Sequence, residues 1–117
     1  MEKITTLNDI RRNHSRQVIC TGYYRQHDVR KGRDRHGPEE YYGHVFIELQ
    51  DGTTVMLYPI WHESCIRSND EILAFEGKLV DVTGTIFLEA PNISTEFPAQ
   101  NLMLPCLTEI VEIRLAN

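Results

Sequence analysis

The chain has 117 residues, enough for one domain with a single hydrophobic core that needs no metal or disulfide support. Its net charge of −5 argues against a protein that coats nucleic acid by bulk electrostatic attraction. No apolar run is long enough to span a bilayer, and the first residues lack the apolar middle of a signal peptide. We therefore expect a single cytoplasmic domain, residues 1–117, that does not enter a membrane.

The charges are unevenly distributed along the chain. Residues 1–36 hold nine of the twelve Lys and Arg residues but only four of the seventeen Asp and Glu residues. This asymmetry predicts one basic and one acidic region on the surface. The basic region is either an anion-binding patch or a solvated surface that keeps a small domain soluble.

Residues 1–15 are predicted to form a helical lead-in to a domain that spans residues 16–117. Ile4, Leu7 and Ile10 recur every three residues. Thr6 is a candidate N-cap, and Asp9 lies three residues later as in a weak capping box. We expect a short amphipathic helix that lies on the sheet or covers an open end of the core.

The segment Gln17–Arg25 is predicted to be the first strand of that domain. Val18, Cys20, Gly22 and Tyr24 alternate with the other residues and would share one face. Gly22 in the middle of a strand indicates a sharp bend or the close approach of another backbone, as at the corners of small barrels.

The segment Gln26–Glu40 cannot form a core face, because it has one aliphatic residue, two glycines, a proline and many charges. We expect a loop of unusual length, and loops of such length in compact domains are usually functional or disordered. Its four basic residues are Arg30, Lys31, Arg33 and Arg35.

The segment Gly43–Pro59 is predicted to be a hairpin that turns at Gln50, Asp51 and Gly52. A two-residue turn would place the apolar residues of the two arms on opposite faces. A type I turn followed by Gly52 in a left-handed bulge position pairs Ile47 with Val55 instead. In that register one buried face holds Val45, Ile47, Leu49, Val55 and Leu57, and the other face holds His44, Phe46, Met56 and Tyr58.

Three further elements follow the hairpin. Ser68 as N-cap, Glu71 at the capping-box position and Gly77 as terminator predict a helix over about residues 69–76. Residues 78–88 are a predicted strand with a central glycine, Gly84, and residues 107–115 are the last strand. A long loop over residues 89–105 joins these two strands.

This order of elements resembles the five-stranded OB-fold barrel of the oligonucleotide- and oligosaccharide-binding superfamily. The resemblance covers about Val18 to Leu115 and is carried by VICTGYY, SNDEILAFEGK, LVDVTGTI and PCLTEIVEI. It implies an all-β, OB-like barrel with one capped helix between its third and fourth strands. It also implies a ligand track over the second and third strands, flanked by the first-to-second and fourth-to-fifth loops.

The resemblance favours a non-enzymatic module that binds single-stranded DNA or RNA. Bases would stack on Phe46 and Tyr58, and the basic loop would neutralise phosphates. The alternative for the two aromatic residues is packing under a helix or a loop. The predicted nucleic-acid-binding residues are His44, Phe46, Met56, Tyr58, Arg25, Arg30, Lys31, Arg33 and Arg35.

A protein partner or a homodimer is the alternative function. The loop 89–105 carries more apolar side chains than a freely solvated segment would hold. Those side chains either fold back over the barrel or form an interface with a partner. The other surface that a partner could use is the ligand track. The predicted partner-binding residues are Ile93, Phe97, Leu102 and Met103.

Catalysis, cofactors and metal ions are not expected. The run His62-Glu63-Ser64-Cys65 gathers nucleophile and base types, but no oxyanion motif, paired acids or phosphate loop accompanies it. A zinc site on His62 and Cys65 with Cys106 or His44 is disfavoured, because no paired Cys-x-x-Cys element is present and the histidines are scattered. The cysteines lie singly along the chain, so we expect buried thiols and no disulfide.

Overall fold

One long strand, β2 (Arg16–Gln26), organises the fold. The structure, a computed structural model, describes residues 1–26, 45–59, 62–89 and 105–116. Along one edge β2 pairs antiparallel with β5 (Leu79–Phe87). Its other edge is divided between β1 (Lys3–Ile4), which runs parallel to it, and β3 (Val45–Glu48), which runs antiparallel.

The remaining strands close a barrel. The hairpin partner of β3 is β4 (Thr54–Leu57), which pairs in parallel with β6 (Cys106–Leu115), and β6 pairs antiparallel with β5. The order β2-β3-β4-β6-β5 with β5 returning to β2 is a closed five-stranded barrel. The predicted all-β barrel is confirmed. The short strand β1 was not predicted, because two residues are too few to show a period.

The predicted register of the hairpin is confirmed. Ile47 lies opposite Val55, and the apolar residues of both arms belong to one buried core. Leu49 and Thr53 are joined by a backbone hydrogen bond of 2.8 Å, and Gly52 between them has a φ of 87°. A β-carbon disfavours that left-handed conformation, which is why glycine suits the bulge position.

Gly22 marks a close crossing of backbones, as predicted. A β-carbon at this position would lie 2.5 Å from the carbonyl oxygen of Glu48 and 2.7 Å from a methyl group of Ile47. The missing side chain therefore lets β3 lie against β2 at the point where β2 passes from β1 to β3.

Two helices close the ends of the barrel. In α1 (Leu7–Arg12) the hydroxyl of Thr6 accepts the N–H of Asp9, and Ile10 is buried. In α2 (Asn69–Phe75) the hydroxyl of Ser68 accepts the N–H of Glu71, and Ile72 is buried. Both predicted N-caps are confirmed. A 3-10 turn at Glu63–Cys65, which was not predicted, precedes α2.

The core fills the inside of the barrel and extends under both helices. Its buried residues from the strands alternate along the chain, as the strand period requires. They are Ile4, Ile10, Val18, Cys20, Tyr24, Val45, Ile47, Leu49, Val55, Leu57, Ile72, Val80, Val82, Ile86 and Leu107.

Candidate binding face

A row of side chains crosses the outer surface of the barrel, one from each strand. Arg25 lies opposite Phe46, Phe46 opposite Met56, Met56 beside Cys106, and Cys106 opposite Phe87. These five residues, here called the outer row, point away from the core because they occupy the alternate strand positions. Two residues of the predicted ligand track, Phe46 and Met56, lie in the middle of this row.

The centre of the outer row is buried even though it lies outside the barrel. Met56 is 4% exposed and Cys106 is not exposed at all, and the half-buried rings of Phe46 and Phe87 pack against them. Burial raises the pKa of the Cys106 thiol to about 12. These residues form a second, smaller apolar cluster, so Met56 supports its neighbours and presents little surface to a ligand.

His14 ends the row on the far side of Phe87. The two rings meet edge to face with 5.7 Å between centroids. The Nδ1 atom of His14 accepts the N–H of Leu88 at 2.9 Å, which fixes the orientation of the imidazole. This hydrogen bond connects the chain just after α1 to the chain just after β5.

The other end of the outer row is open to solvent. Tyr23 is 44% exposed, and the guanidinium carbon of Arg25 lies 5.5 Å from the centre of its ring. Arg25 also lies 3.4 Å from a carboxylate oxygen of Glu48, which is opposite Tyr23 in the sheet. We call Tyr23, Arg25, Phe46 and Glu48 the Tyr23 patch. It is an exposed aromatic ring with a cation above it, beside a second, half-buried ring.

Tyr58 does not share this exposed surface. It follows β4 with a φ of 66°, and its ring stacks on His62 at 4.5 Å between centroids. The guanidinium of Arg67 lies 5.7 Å from the ring centre, and the hydroxyl accepts the N–H of Ile110 at 3.1 Å. Tyr58 thus holds the chain after β4 against β6, with contacts to both its ring and its hydroxyl.

Several predicted site residues lie outside the described residues. These are His44 of the predicted hairpin, Arg30, Lys31, Arg33 and Arg35 of the first long loop, and Ile93, Phe97, Leu102 and Met103 of the second. The described chain reaches the first of these loops at Gln26 and resumes at Val45, which are opposite each other in the sheet. The segment between them therefore leaves and rejoins the barrel beside Arg25 and Phe46.

A partly buried polar network holds α2 to the barrel. Arg67 makes two hydrogen bonds to the carboxylate of Glu71, at 2.8 and 2.9 Å, and the hydroxyl of Tyr24 donates to the same carboxylate at 2.6 Å. Burial raises the pKa of Glu71, but the hydrogen bonds from Arg67 and Tyr24 outweigh burial and leave the pKa below its ordinary value. The network fixes the helix, and its polar groups are occupied by one another.

Asp81 is a second buried charge, on the outer surface of β5. It accepts the hydroxyl of Thr21 at 2.6 Å and lies 3.7 Å from the Lys3 ammonium and 4.0 Å from the Arg114 guanidinium. These residues come from β1, β2 and β6, so one carboxylate connects four strands. Behind β2, burial and then the charge of Asp81 raise the pKa of the Cys20 thiol to about 12.

The run His62-Glu63-Ser64-Cys65 forms the 3-10 turn. His62 Nδ1 accepts the N–H of Ser64 at 2.9 Å and so caps this turn. Burial raises the pKa of the Cys65 thiol, which disfavours the thiolate that a nucleophile would need. Cys20, Cys65 and Cys106, all within the described residues, are buried thiols that form no disulfide.

A groove is a further feature of the described surface. A groove of about 500 Å³ lies between α1, the hairpin turn and the end of β5, and it is lined by Leu7, Arg11, Gly52, Thr53, Thr54, Leu88, Glu89 and Pro105. Within the described ranges no three His, Cys, Asp or Glu side chains come together as a metal site. In the same ranges no helix has the length and apolar character needed to cross a membrane.

Comparison of the chain with protein-family models, with curated proteins and with solved structures gave no match. The candidate site is therefore identified only from the positions and contacts of its residues. Sequence reasoning named Arg25, Phe46 and Met56 but missed Tyr23. The signal was present, because a strand that turns Gly22 and Tyr24 inward must turn Tyr23 outward, beside Arg25.

Proposed function

We propose that this barrel belongs to the OB-fold superfamily and acts as a non-enzymatic module that binds single-stranded nucleic acid. The strand order, the parallel pairing of β4 with β6 and the helix between the third and fourth barrel strands support the superfamily assignment. In OB folds, the surface of the second and third strands and the adjoining loops bind the ligand.

The observation that carries the functional proposal is the Tyr23 patch. It offers an exposed ring, a half-buried ring and a guanidinium on neighbouring strands. Bases stack on such side chains whatever their sequence, because every base has a π-face. We assign stacking to Tyr23 and Phe46 and assign Met56 the role of supporting Phe46 from the side of β4.

The basic loop would supply the phosphate contacts. Arg30, Lys31, Arg33 and Arg35 belong to the segment that leaves and rejoins the barrel beside Arg25 and Phe46. A strand of nucleic acid stacked on the Tyr23 patch would have its backbone within reach of residues in that segment. Glu48 partly neutralises Arg25, so we expect salt-sensitive binding of moderate affinity from this acidic protein.

The first test is the salt dependence of binding to short fluorescent single-stranded DNA and RNA, measured by anisotropy. Affinity should fall with salt at a slope of about −0.7 per phosphate contact. Replacing Arg33 and Arg35 together by Ala should flatten the slope by about 1.4 if both reach phosphates. A parent protein that binds neither oligomer at about 50 mM salt, where screening is weak, would contradict the proposal.

The second test separates stacking from charge. Tyr23→Ala should weaken binding by about 1 to 3 kcal/mol and leave the salt slope unchanged, because a stacked ring releases no counterions. Leu73→Ala is the matched control, since Leu73 is 81% exposed on α2 and lies outside the patch. Unchanged melting temperatures would confirm that both variants are folded. Equal binding by the two variants would contradict the role of Tyr23.

A protein ligand is the second candidate. It is favoured by the half-buried rings of Phe46 and Phe87, which pack against the buried Met56 and Cys106 and give the outer row more apolar surface than a phosphate track requires. Ile93, Phe97, Leu102 and Met103, which lie outside the described residues, are the predicted partner-binding residues of the loop 89–105. A parent that ignores both oligomers at low salt would favour this candidate over the first.

A further inference from the structure

Within the part of the chain that the structure describes, the last part of β6 is an open strand edge. On one side β6 pairs with β5 as far as Leu115, but its pairing with β4 on the other side ends at Leu107. The Tyr58 hydroxyl then binds the N–H of Ile110. From Val111 onward, no strand or backbone hydrogen bond among the described residues occupies this second side. An open edge is a template for another strand.

The ladder with β5 determines which backbone groups face this edge. The N–H of Ala116 donates to the carbonyl of Leu79, so the alternate residues Arg114 and Glu112 also direct their backbone groups toward β5. The groups of Val111, Ile113 and Leu115 then point to the open side. A strand that pairs with this edge must place opposite these three residues those of its own residues whose backbone N–H and C=O groups point toward β6.

The side chains along the edge are complementary to a reversed copy of themselves. In an antiparallel pair centred on Ile113, Glu112 of each copy lies opposite Arg114 of the other, and Val111 lies opposite Leu115. Both charged residues are exposed, and the apolar ones are 68% and 50% exposed. Moving the centre by one residue would place Glu112 opposite Glu112, or Arg114 opposite Arg114, and like charges directly opposite are destabilising.

We propose that the protein forms a two-fold homodimer by antiparallel pairing of the β6 edges, centred on Ile113. This register satisfies three independent requirements. The paired residues direct their backbone groups toward each other, each charged residue lies opposite an unlike charge, and the exposed apolar side chains lie opposite one another. Two sheets would then join into one that runs from β5 of one copy through both β6 strands to β5 of the other. This interface is separate from the Tyr23 patch and does not rest on the proposed binding of nucleic acid.

The first experiment is sedimentation equilibrium of the full chain over a range of concentrations. We expect a monomer–dimer equilibrium. Glu112→Arg creates two Arg–Arg oppositions in the dimer, and Arg114→Glu creates two Glu–Glu oppositions. Each variant should raise the dimer dissociation constant about tenfold or more. Glu89→Arg changes the net charge by the same amount as Glu112→Arg but lies beyond the opposite end of β5, so it should have no effect.

The decisive experiment mixes the two weakened variants. In a mixed dimer the substituted position 112 of one copy, now basic, would face the substituted position 114 of the other, now acidic. The native Arg114 would face the native Glu112, so every opposition is again between unlike charges. Differently tagged Glu112→Arg and Arg114→Glu proteins should therefore associate with each other more tightly than either associates with itself. Circular dichroism of each variant checks the fold, since Arg114 also lies near Asp81.

Two results would overturn the proposal. One is a parent protein that stays monomeric at the highest soluble concentration. The other is a pair of folded variants that bind each other no better than themselves, which would place any dimer interface elsewhere.

Discussion

At the scale of single residues, Tyr24 places a polar hydroxyl at the end of a ring that lies in the apolar core. The side chain is buried in the core, and its hydroxyl donates to Glu71 at 2.6 Å. Removing one donor from a partly buried carboxylate costs more than removing a neutral hydrogen bond. The adjacent Tyr23 is 44% exposed.

These neighbours provide a matched pair of substitutions. We expect Tyr24→Phe to lower the free energy of unfolding by about 1.5 to 3 kcal/mol, because Glu71 loses a donor. Tyr23→Phe should change it by less than about 0.5 kcal/mol, as for other surface substitutions. Urea unfolding of both variants measures the difference. Equal stabilities would show that the Tyr24 hydroxyl contributes nothing to holding α2.

At the scale of elements, two glycines set how closely strands cross. A β-carbon at Gly22 would lie 2.5 Å from the carbonyl oxygen of Glu48, and one at Gly84 would lie 2.9 Å from that of Thr108. Both Gly→Ala variants should be destabilised, by about 1 to 3 kcal/mol as for overpacking, with Gly22→Ala the worse. The melting temperatures of the two variants, measured by thermal unfolding, show which is less stable. The reverse order would mean that β3 moves away from β2 more easily than β6 moves away from β5.

The sequence predicts an element well when the information is local. The hairpin register follows from the alternation of Val45, Ile47, Val55 and Leu57 and from the conformation that Gly52 allows. The N-caps follow from single side chains close to each helix. The barrel itself was predicted through the resemblance of the element order to OB-fold barrels and not from a local pattern.

The sequence fails where a contact joins distant segments. Nothing local to Tyr58 shows that its hydroxyl would meet the N–H of Ile110, which removes it from the ligand track. Glu71 was expected to complete a capping box, but Arg67 and Tyr24 occupy its carboxylate. The outer row likewise becomes visible only once the register between β4 and β6 brings Cys106 beside Met56.

At the scale of the whole molecule, three carboxylates fix the segments that carry the two helices, one by a local hydrogen bond and two by hydrogen bonds that join distant parts of the chain. Asp9 accepts the N–H of Thr5 at 2.9 Å, Asp51 in the hairpin turn accepts the N–H of Leu7 at 2.8 Å, and Glu71 holds α2. The hydrogen bond from Thr5 chiefly lowers the pKa of Asp9, and that from Leu7 chiefly lowers the pKa of Asp51. The pKa of Glu71 is also lowered.

The direction of these shifts determines how acid should act on the fold. A carboxylate whose pKa is lower in the folded state stabilises the protein above its unfolded pKa, which is about 3.9 for Asp and 4.3 for Glu. That contribution is lost as the pH falls through the lower pKa of the folded state. The free energy of unfolding should therefore fall as the pH drops below about 4.

A combined variant tests whether these three groups are responsible. Asp9→Asn, Asp51→Asn and Glu71→Gln together should lower stability at about pH 7, because each removes a charged acceptor. The variant should also lose less stability than the parent between about pH 5 and pH 3, because it lacks three of the groups that titrate there. Urea unfolding at several pH values gives both slopes. Parallel curves for the parent and the variant would assign the acid sensitivity to other carboxylates.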